Sequence, residues 1–384
     1  MSTDVDQVLQ DAVDSGAVPN VVAVAAGDDG VIYEGAAGPR AVGGDDAVSA
    51  DSLFRIASMT KMVTTVAALQ QVEQGHIDLD ASVAAYCPEF AELQVLGGFD
   101  GDTPRLRPPA SQATVKHLVT HTSGLSYWFW NADIVRWEAI TGAGNALTGT
   151  ASTFTAPLVA DPGTRFEYGI NTDWLGKVVE SASGLSLDSY FATNILEPLG
   201  MTATTFLMTA EQRANSVPVH MQGEDGAWVA TDVDWNQTPD WWAGGHGLYS
   251  TPRDYLTFQR MLLGGGSLGD AKILEPASVE AAFTNQIGAI DFPATIKAAD
   301  PVATCDFNAG PGHKWGLGLL LNTRQQPGLR APGSGSWAGI CNTHFWVDPT
   351  TRVTGAIYTQ FLPFVTPPSM EMYANFERAL YASL

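Results

Sequence analysis

The sequence predicts an α/β protein of the α+β type, in which helices flank an antiparallel sheet and a mainly helical domain is attached to it. Segments typical of β-strands lie towards both ends of the chain, segments typical of helices fill the middle, and no internal repeat interrupts them. The economical architecture places strands from both ends in one sheet. We therefore expect residues 1–80 and 306–384 to form the α/β domain and residues 81–305 to form the helical domain.

The N-terminal part predicts a short helix, a hairpin and a long helix. Residues 5–13 form an amphipathic opening segment. Val21–Ala25 and Val31–Tyr33 are β-prone and flank a Gly-Asp-Asp-Gly turn, which predicts a hairpin. Apolar residues from Met62 to Val72 then recur at roughly helical spacing until Gly75 ends the pattern.

The middle of the chain predicts helices separated by loops. Helical patterns cover residues 114–119, 174–181 and 252–263. Residues 97–113 are rich in glycine, proline and arginine, which predicts an excursion over the surface.

The C-terminal part changes character. Trp315–Leu321, Thr343–Val347 and Arg352–Tyr358 are short β-prone runs separated by turns, and Ser369–Leu380 has the pattern of a closing helix. These three runs are the expected partners of the N-terminal hairpin.

Composition narrows the classes of partner. The chain of 384 residues is 45% hydrophobic, enough for a large core, and it carries 41 acidic against 19 basic residues, a formal charge of −22. That charge argues against nucleic acid or an anionic membrane as a partner. The N-terminus has neither a basic nor an apolar leader region, and no apolar run reaches the ~18 residues of a membrane span, so we expect a cytoplasmic protein.

Cysteine and histidine spacing points away from metal sites. Cys87, Cys305 and Cys341 are odd in number and lack ligand spacing, so we expect reduced, mostly buried thiols. The seven histidines show no spacing typical of metal ligands, and we expect neither a metal nor a cofactor.

Ser58-Met59-Thr60-Lys61 is the first candidate catalytic motif. A separation of three residues places Ser58 and Lys61 on one face of the predicted helix, where the amine can take the hydroxyl proton. Unpaired N–H groups of the first turn favour negative charge beside the serine. By itself the motif also fits a serine cap followed by an exposed lysine.

Four further motifs follow it in the chain. They are Gly75–Asp80, His117–Leu125, Pro162–Tyr168, and Trp337-Ala338-Gly339 with Phe345–Pro349 after it. Together with the Ser58 motif, in this order, they resemble the serine β-lactamases and penicillin-binding proteins, and most of all the class C β-lactamase-like family VIII carboxylesterases. The resemblance covers nearly the whole chain and implies a β-lactamase/transpeptidase-like fold.

The resemblance implies a catalytic centre of Ser58, Lys61 and Tyr168. Ser58 is the expected nucleophile, and Lys61 its base if burial lowers the lysine pKa. Tyr168 is expected to face the nucleophile and shuttle protons, with its phenolate favoured by the nearby lysine. Ile170 stands where the lactamase pattern has an asparagine, and Asn171 comes one residue late, which puts its substrate-contacting role in doubt.

Trp337-Ala338-Gly339 stands where the family has Lys-Thr-Gly. The resemblance implies an edge strand beside the pocket, with the Ile340 N–H as the second oxyanion donor after the Ser58 N–H. Replacement of lysine by Trp337 removes a cation that would bind a substrate carboxylate, which favours neutral esters; simple packing of a strand also explains this tryptophan. His246, in a glycine-rich turn, is a candidate pocket residue or a structural turn residue.

Other suggestive residues are expected to be structural. Ser267 lies in Gly-Gly-Ser-Leu-Gly, but a helix precedes it where a nucleophile elbow needs a strand. His121 and Ser123 are expected to close a turn. The central tryptophans are expected mostly to pack the core, with a few lining an apolar cleft; they are Trp128, Trp130, Trp137, Trp235, Trp241 and Trp242.

The leading functional prediction is a serine hydrolase that cleaves small carboxylic esters through an acyl-enzyme. Amide-directed chemistry in the same fold is the first alternative: a D-amino-acid peptidase, a weak β-lactamase or an acyltransferase. A sensor that stays acylated, or an inactive scaffold, is the second.

Overall fold

The computed structural model describes the backbone of residues 2–384 and the side chains of residues 5–384. Strands in this part of the chain are β1 (Val21–Gly27), β2 (Gly30–Ala37), β3 (Phe54–Arg55), β4 (Val95–Asp100), β5 (Thr103–Arg107), β6 (His220–Gln222), β7 (Trp228–Ala230), β8 (Tyr249–Ser250), β9 (Ser267–Leu268), β10 (Ala271–Lys272), β11 (Lys314–Trp315), β12 (Leu320–Leu321), β13 (Gly335–Gly339), β14 (Thr343–Asp348) and β15 (Val353–Tyr358).

Seven strands form one antiparallel sheet in the order β11-β12-β13-β14-β15-β1-β2. The two ends of the chain meet where β1 pairs with β15, from Val22 opposite Tyr358 to Gly27 opposite Val353. The predicted fold class, with a sheet built from both termini and flanked by helices, is confirmed.

The helices lie on both faces of this sheet and beyond one side of it. They are α1 (Ser2–Asp14), α2 (Thr60–Glu73), α3 (Val115–Val119), α4 (Ala132–Thr141), α5 (Asn171–Ser183), α6 (Leu187–Phe191), α7 (Glu197–Leu199), α8 (Ala210–Ala214), α9 (Pro252–Leu263), α10 (Pro276–Ala282) and α11 (Pro367–Ala382).

Strand β1 shows how the sheet is covered. Its side chains alternate between two apolar clusters, because successive residues of a strand point to opposite faces. Val22 and Val24 belong to the large cluster that includes α2 and α9, whereas Val21 and Ala23 belong to the cluster formed with α1 and α11. With both faces covered, the strand carries no polar side chain.

Helix α2 connects the sheet to the helical region. Its residues from Thr60 to Gln71 are buried, and it packs against α5. The large apolar cluster continues from β1 through α2 to Trp174 on α5. One core therefore crosses the predicted domain boundary near residue 80.

Residues 97–113 run over the surface as expected, and they contain most of a β4–β5 hairpin. Its strand β5 is largely exposed and lacks the apolar alternation that identifies a half-buried strand. One local prediction is wrong. Trp315–Leu321 is two strands, β11 and β12, because Gly318 reverses the chain with φ +78°. None of the described helices is long and apolar enough to cross a lipid bilayer.

Candidate active site

Ser58 lies in a single 3₁₀ turn, Ala57–Met59, that joins β3 to the start of α2. The residue before it, Ala57, has φ +45°, a left-handed conformation that is strained for a residue with a Cβ. The end of β13 packs directly against this turn, and Gly339 is required there because a Cβ would overlap the Ile56 carbonyl oxygen. The serine is thus held between a helix start and a strand end.

Lys61 is fully buried next to Ser58. Its Nζ lies 3.1 Å from Ser58 Oγ, 3.0 Å from the Tyr127 hydroxyl and 2.7 Å from the Gly245 carbonyl oxygen. Burial lowers the pKa of Lys61 well below the ordinary lysine value, and the nearby Asp173 opposes part of that change. The expected lowering of the Lys61 pKa is therefore present.

Tyr168 faces the same two residues. Lys61 Nζ lies 4.8 Å from the centre of the Tyr168 ring, and Trp337 Nε1 donates to the Tyr168 hydroxyl oxygen at 2.9 Å. The expectation of a favoured phenolate is wrong: burial raises the pKa of Tyr168, and contacts of its oxygen with Ser58 and Trp337 offset only part of the rise. Tyr168 is a protonated phenol at neutral pH.

Strand β13 is not at the edge of the sheet, which corrects a second expectation. It lies between β12 and β14, but β12 pairs only with Gly335 and Ser336. From Trp337 onwards the backbone is free to line a cavity on that side. Trp337, Ala338 and Ile340 all face the cavity that contains Ser58.

The Ser58 cavity is small and apolar. Its volume is about 20 Å³, and it is lined by Ser58, Phe129, Trp130, Tyr168, Ile296, Phe307, Trp337, Ala338, Ile340 and Phe364. No cationic side chain is among these lining residues. The surroundings suit an uncharged, apolar group.

A larger cavity of about 190 Å³ shares part of its lining with the Ser58 cavity. The two share Phe307, Trp337 and Ala338, and the larger one also has polar lining residues such as Asn308 and Asn322. Two adjoining chambers therefore meet at Trp337, the first apolar and the second mixed in character.

His246 lies outside the Ser58 cavity, which favours the alternative of a structural turn residue over that of a pocket residue. It lines a separate cavity with Trp235, Trp241 and Trp242, and burial lowers its pKa to about 3. The residue before it, Gly245, does contact the candidate catalytic centre, since its carbonyl oxygen accepts a hydrogen bond from Lys61.

Two polar residues next to Lys61 were missed by sequence reasoning. Tyr127 follows the His-Thr-Ser-Gly-Leu motif and contributes its hydroxyl to Lys61. Asp173 lies in the first turn of α5 and is fully buried, with Gly245 N–H donating to its Oδ1 at 2.7 Å. An acidic residue beside the apolar pair Trp174-Leu175 was the available signal, because carboxylates are seldom fully buried without partners.

The remaining candidates have structural surroundings. Ser123 donates to Asn171 Oδ1 at 2.5 Å, and the Asn171 amide donates to backbone carbonyls, so this pair joins the Ser123 loop to the start of α5. His121 is buried and packs on the Tyr168 ring at 4.7 Å. Ser267 begins the short hairpin β9–β10 after α9, which is not the setting of a nucleophile elbow.

The other expected groups are placed as follows. Among the central tryptophans, Trp130 lines the Ser58 cavity, while Trp128 and Trp137 lie in the core. The three cysteines are free thiols, and Cys87 and Cys341 are buried. Within the described residues no group of three His, Cys, Asp or Glu side chains is placed to hold a metal ion.

The sheet, the helical region and the serine–lysine pair at the start of α2 define a protein of the β-lactamase/transpeptidase-like superfamily, as the resemblance implied. The chain belongs to the beta-lactamase family, whose sequence profile matches residues 5–377.

Individual relatives include both transferring and hydrolysing enzymes. Monacolin J acid methylbutanoyltransferase of Aspergillus terreus is 31% identical over an alignment of 405 positions, covering 98% of this chain and 95% of the relative. Lovastatin esterase of Penicillium rubens is 32% identical over 367 residues, covering 91% and 90%. The structure of unliganded simvastatin synthase from Aspergillus terreus aligns with a TM-score of 0.85 at 28% identity, over 100% of this chain and 99% of that one.

Proposed function

We propose that this protein is a carboxylesterase-type serine hydrolase that forms an acyl-enzyme on Ser58 from neutral esters with apolar acyl groups. The observation that carries the proposal is the contact of 3.1 Å between Lys61 Nζ and Ser58 Oγ at the edge of an apolar cavity. A buried lysine with a lowered pKa is a base at neutral pH, which a serine hydroxyl needs in order to attack an ester.

The surroundings of Lys61 suit it to accept the serine proton. The Tyr127 oxygen and the Gly245 carbonyl can take both N–H groups of the neutral amine, which leaves its lone pair for the Ser58 hydroxyl. As the proton moves to Lys61, Ser58 Oγ bonds to the ester carbonyl carbon and the carbonyl oxygen becomes an oxyanion. The backbone N–H groups of Ser58 and Ile340 are the proposed donors to that oxygen.

Tyr168 is the proposed proton donor to the leaving group. When the carbon–oxygen bond breaks, the departing alkoxide takes the phenolic proton, and Lys61 returns a proton to the phenolate. Trp337 stabilises the transient phenolate through its indole N–H. In the second half, water attacks the acyl carbon, its proton passes to the same pair, and Ser58 regains its hydroxyl as the acid leaves.

Transfer of the acyl group to an alcohol is the second candidate. The apolar lining of the Ser58 cavity disfavours water, and the adjoining chamber of about 190 Å³ offers room and polar partners for a hydroxylated acceptor. The similarity to a methylbutanoyltransferase points the same way. Addition of a small alcohol during turnover of an aryl butyrate distinguishes the two, because a transferase yields a new ester at the expense of free acid.

Amide-directed chemistry is less well supported by the cavity. Substrates such as penicillins carry a carboxylate, and no cation lines the Ser58 cavity to bind it. The Arg330 guanidinium that lines the adjoining chamber is already paired with Glu377. We expect turnover of nitrocefin to be far slower than turnover of an aryl butyrate.

The test is replacement of the proposed nucleophile and proton donor. Ser58→Ala and Tyr168→Phe should abolish or severely reduce hydrolysis of an aryl butyrate, whereas Ser267→Ala serves as the matched serine control. A fluorophosphonate probe should add to the peptide that contains Ser58. Labelling at Ser267, or near-normal turnover by Ser58→Ala, would refute the proposal.

A further inference from the structure

Asp173 is a fully buried carboxylate that belongs to the neighbourhood of Lys61. Its Oδ1 accepts the Gly245 N–H at 2.7 Å, and its Oδ2 lies 3.4 Å from the Tyr127 hydroxyl. His246 Nδ1 is 3.7 Å from Oδ1. A Cβ on Gly245 would lie 2.6 Å from the carboxylate, so only glycine lets the backbone approach this closely.

The same two groups that hold Asp173 also hold Lys61. Gly245 donates its N–H to Asp173 and accepts from Lys61 through its carbonyl. Tyr127 accepts from Lys61 at 3.0 Å and directs its own proton towards Asp173. Lys61 and Asp173 are therefore connected by two parallel bridges, one through a peptide unit and one through a phenol.

Asp173 is the source of negative charge in these surroundings. The tyrosines that face Lys61, Tyr127 and Tyr168, are protonated because burial raises the pKa of each. His246 and His121 are neutral because burial and the Lys61 charge lower the pKa of each. Burial also raises the pKa of Asp173, and the Lys61 charge opposes this, so each of the two groups favours the charged form of the other.

We propose that Asp173 is a positioning residue that holds the Lys61 amine against Ser58 and stabilises the ammonium form that appears when Lys61 takes the serine proton. The inference rests on the proposed function of Ser58 and Lys61 and extends it to a residue that touches neither Ser58 nor the cavity in front of it. Its effect on the reaction passes through Lys61, Tyr127 and Gly245.

The proposal predicts two linked effects of removing the carboxylate charge. An adjacent anion favours protonated Lys61, so without it the amine becomes neutral at a lower pH, and the acid limb of the pH–rate profile moves to lower pH. The amine also becomes a weaker base, so the plateau rate falls. A residue that only supports the fold would lower the plateau and leave the limb where it is.

The experiment measures the rate of Ser58 labelling by a fluorophosphonate from about pH 4 to about pH 9, together with kcat/KM on an aryl butyrate. Asp173→Asn keeps an oxygen to accept the Gly245 N–H and removes the charge. We expect its acid limb to move down by about one pH unit and its plateau to fall about 10- to 100-fold. Asp254→Asn is the matched control, because Asp254 is a partly buried carboxylate bonded to Ala203 and Thr204.

Two further results show whether the proposed function or the role of Asp173 has failed. If the wild-type protein is not labelled at Ser58, the proposed function fails; if it is labelled and Asp173→Asn shows an unmoved limb, this inference alone is overturned. If the asparagine variant folds poorly, Asp173→Ser, which also removes the carboxylate charge and keeps a small polar side chain, should reproduce the displaced limb. A wild-type labelling rate that is still rising at about pH 9, as the ordinary pKa of an exposed lysine would produce, contradicts the proposed role of Lys61 as the base and therefore the proposed function.

Discussion

Trp337 donates its indole N–H to the hydroxyl of Tyr168 at 2.9 Å. The two residues lie 169 positions apart and are also in ring contact at 5.0 Å. Trp315 packs edge-on against Trp337 at 4.6 Å and fixes the indole in this orientation. The residue in the position of the family's Lys-Thr-Gly lysine thus orients the proposed proton donor of this enzyme.

Replacement of Trp337 by phenylalanine tests that contact. The variant keeps an aromatic wall for both cavities but removes the donor, so Tyr168 loses a fixed orientation and a group that stabilises its phenolate. We expect kcat/KM on an aryl butyrate to fall about 3- to 10-fold, the worth of one hydrogen bond. Trp130→Phe, in the same cavity, is the control for lost indole volume; an equal loss in both variants would show that packing accounts for the effect.

Tyr127→Phe tests the phenol that lies between Lys61 and Asp173. Loss of the hydroxyl removes an acceptor from Lys61 and a donor from Asp173 while the ring keeps its stacking on Phe129 at 4.9 Å. We expect about 10-fold slower labelling of Ser58 by a fluorophosphonate, with a free energy of unfolding lower by about 1 kcal/mol.

Tyr190→Phe provides the comparison for Tyr127→Phe. Its hydroxyl accepts from Gln71 at 2.9 Å on a buried face of α6, and it has no part in the proposed reaction. The two variants should lose similar stability, and only Tyr127→Phe should lose labelling rate. An unchanged labelling rate in Tyr127→Phe would show that the Tyr127 hydroxyl does not contribute to the function of Lys61.

Local patterns in the sequence were sufficient for the sheet and for the serine–lysine pair. The unbroken apolar run Val21–Ala25 is produced by the two covered faces of β1, and the spacing of three between Ser58 and Lys61 survives although Ser58 lies in a 3₁₀ turn. Both features are set by residues that lie close together in the chain, and such local relationships are visible as patterns in the sequence.

The features that sequence reasoning missed depend on burial and on distant contacts. The phenolate expectation for Tyr168 considered the adjacent cation and not the depth of burial, which has the larger effect on its pKa. Tyr127 and Asp173 are 46 positions apart and meet only because α5 packs beside α2 and α3. No periodic pattern records such a meeting.

Arg330 and Glu377 form a buried ion pair between the β12–β13 loop and α11. Arg330 bonds to both carboxylate oxygens, at 2.9 Å and 2.6 Å, and its backbone N–H donates to Oε1 as well. Arg330→Met would leave the Glu377 carboxylate buried without a counter-charge, which we expect to lower the free energy of unfolding by about 3–5 kcal/mol in urea denaturation. The exposed pair Lys272–Glu275 is the control, with a loss below about 1 kcal/mol for Lys272→Met; similar losses in both would contradict the argument.

His344 should make folding sensitive to acid. The ring is buried between Phe364 and Tyr373, and burial together with the Arg330 charge lowers its pKa to about 3. The unfolded chain binds a proton below about pH 6.5 that the folded protein does not bind, so the free energy of unfolding falls as the pH decreases from that value. From pH 7 to pH 5 this one residue should account for about 2 kcal/mol of lost stability.

His344→Phe keeps a flat ring in the stack and removes the titration. We expect the variant to resemble the wild-type protein in urea denaturation at about pH 7.5 and to be more stable by about 2 kcal/mol at about pH 5. Phe364→Leu disturbs the same stack without removing a titrating group. Its free energy of unfolding should be lower than that of the wild-type protein by the same amount at both pH values. An acid-induced loss in His344→Phe as large as in the wild-type protein would mean that other groups, such as the buried His246, carry the sensitivity.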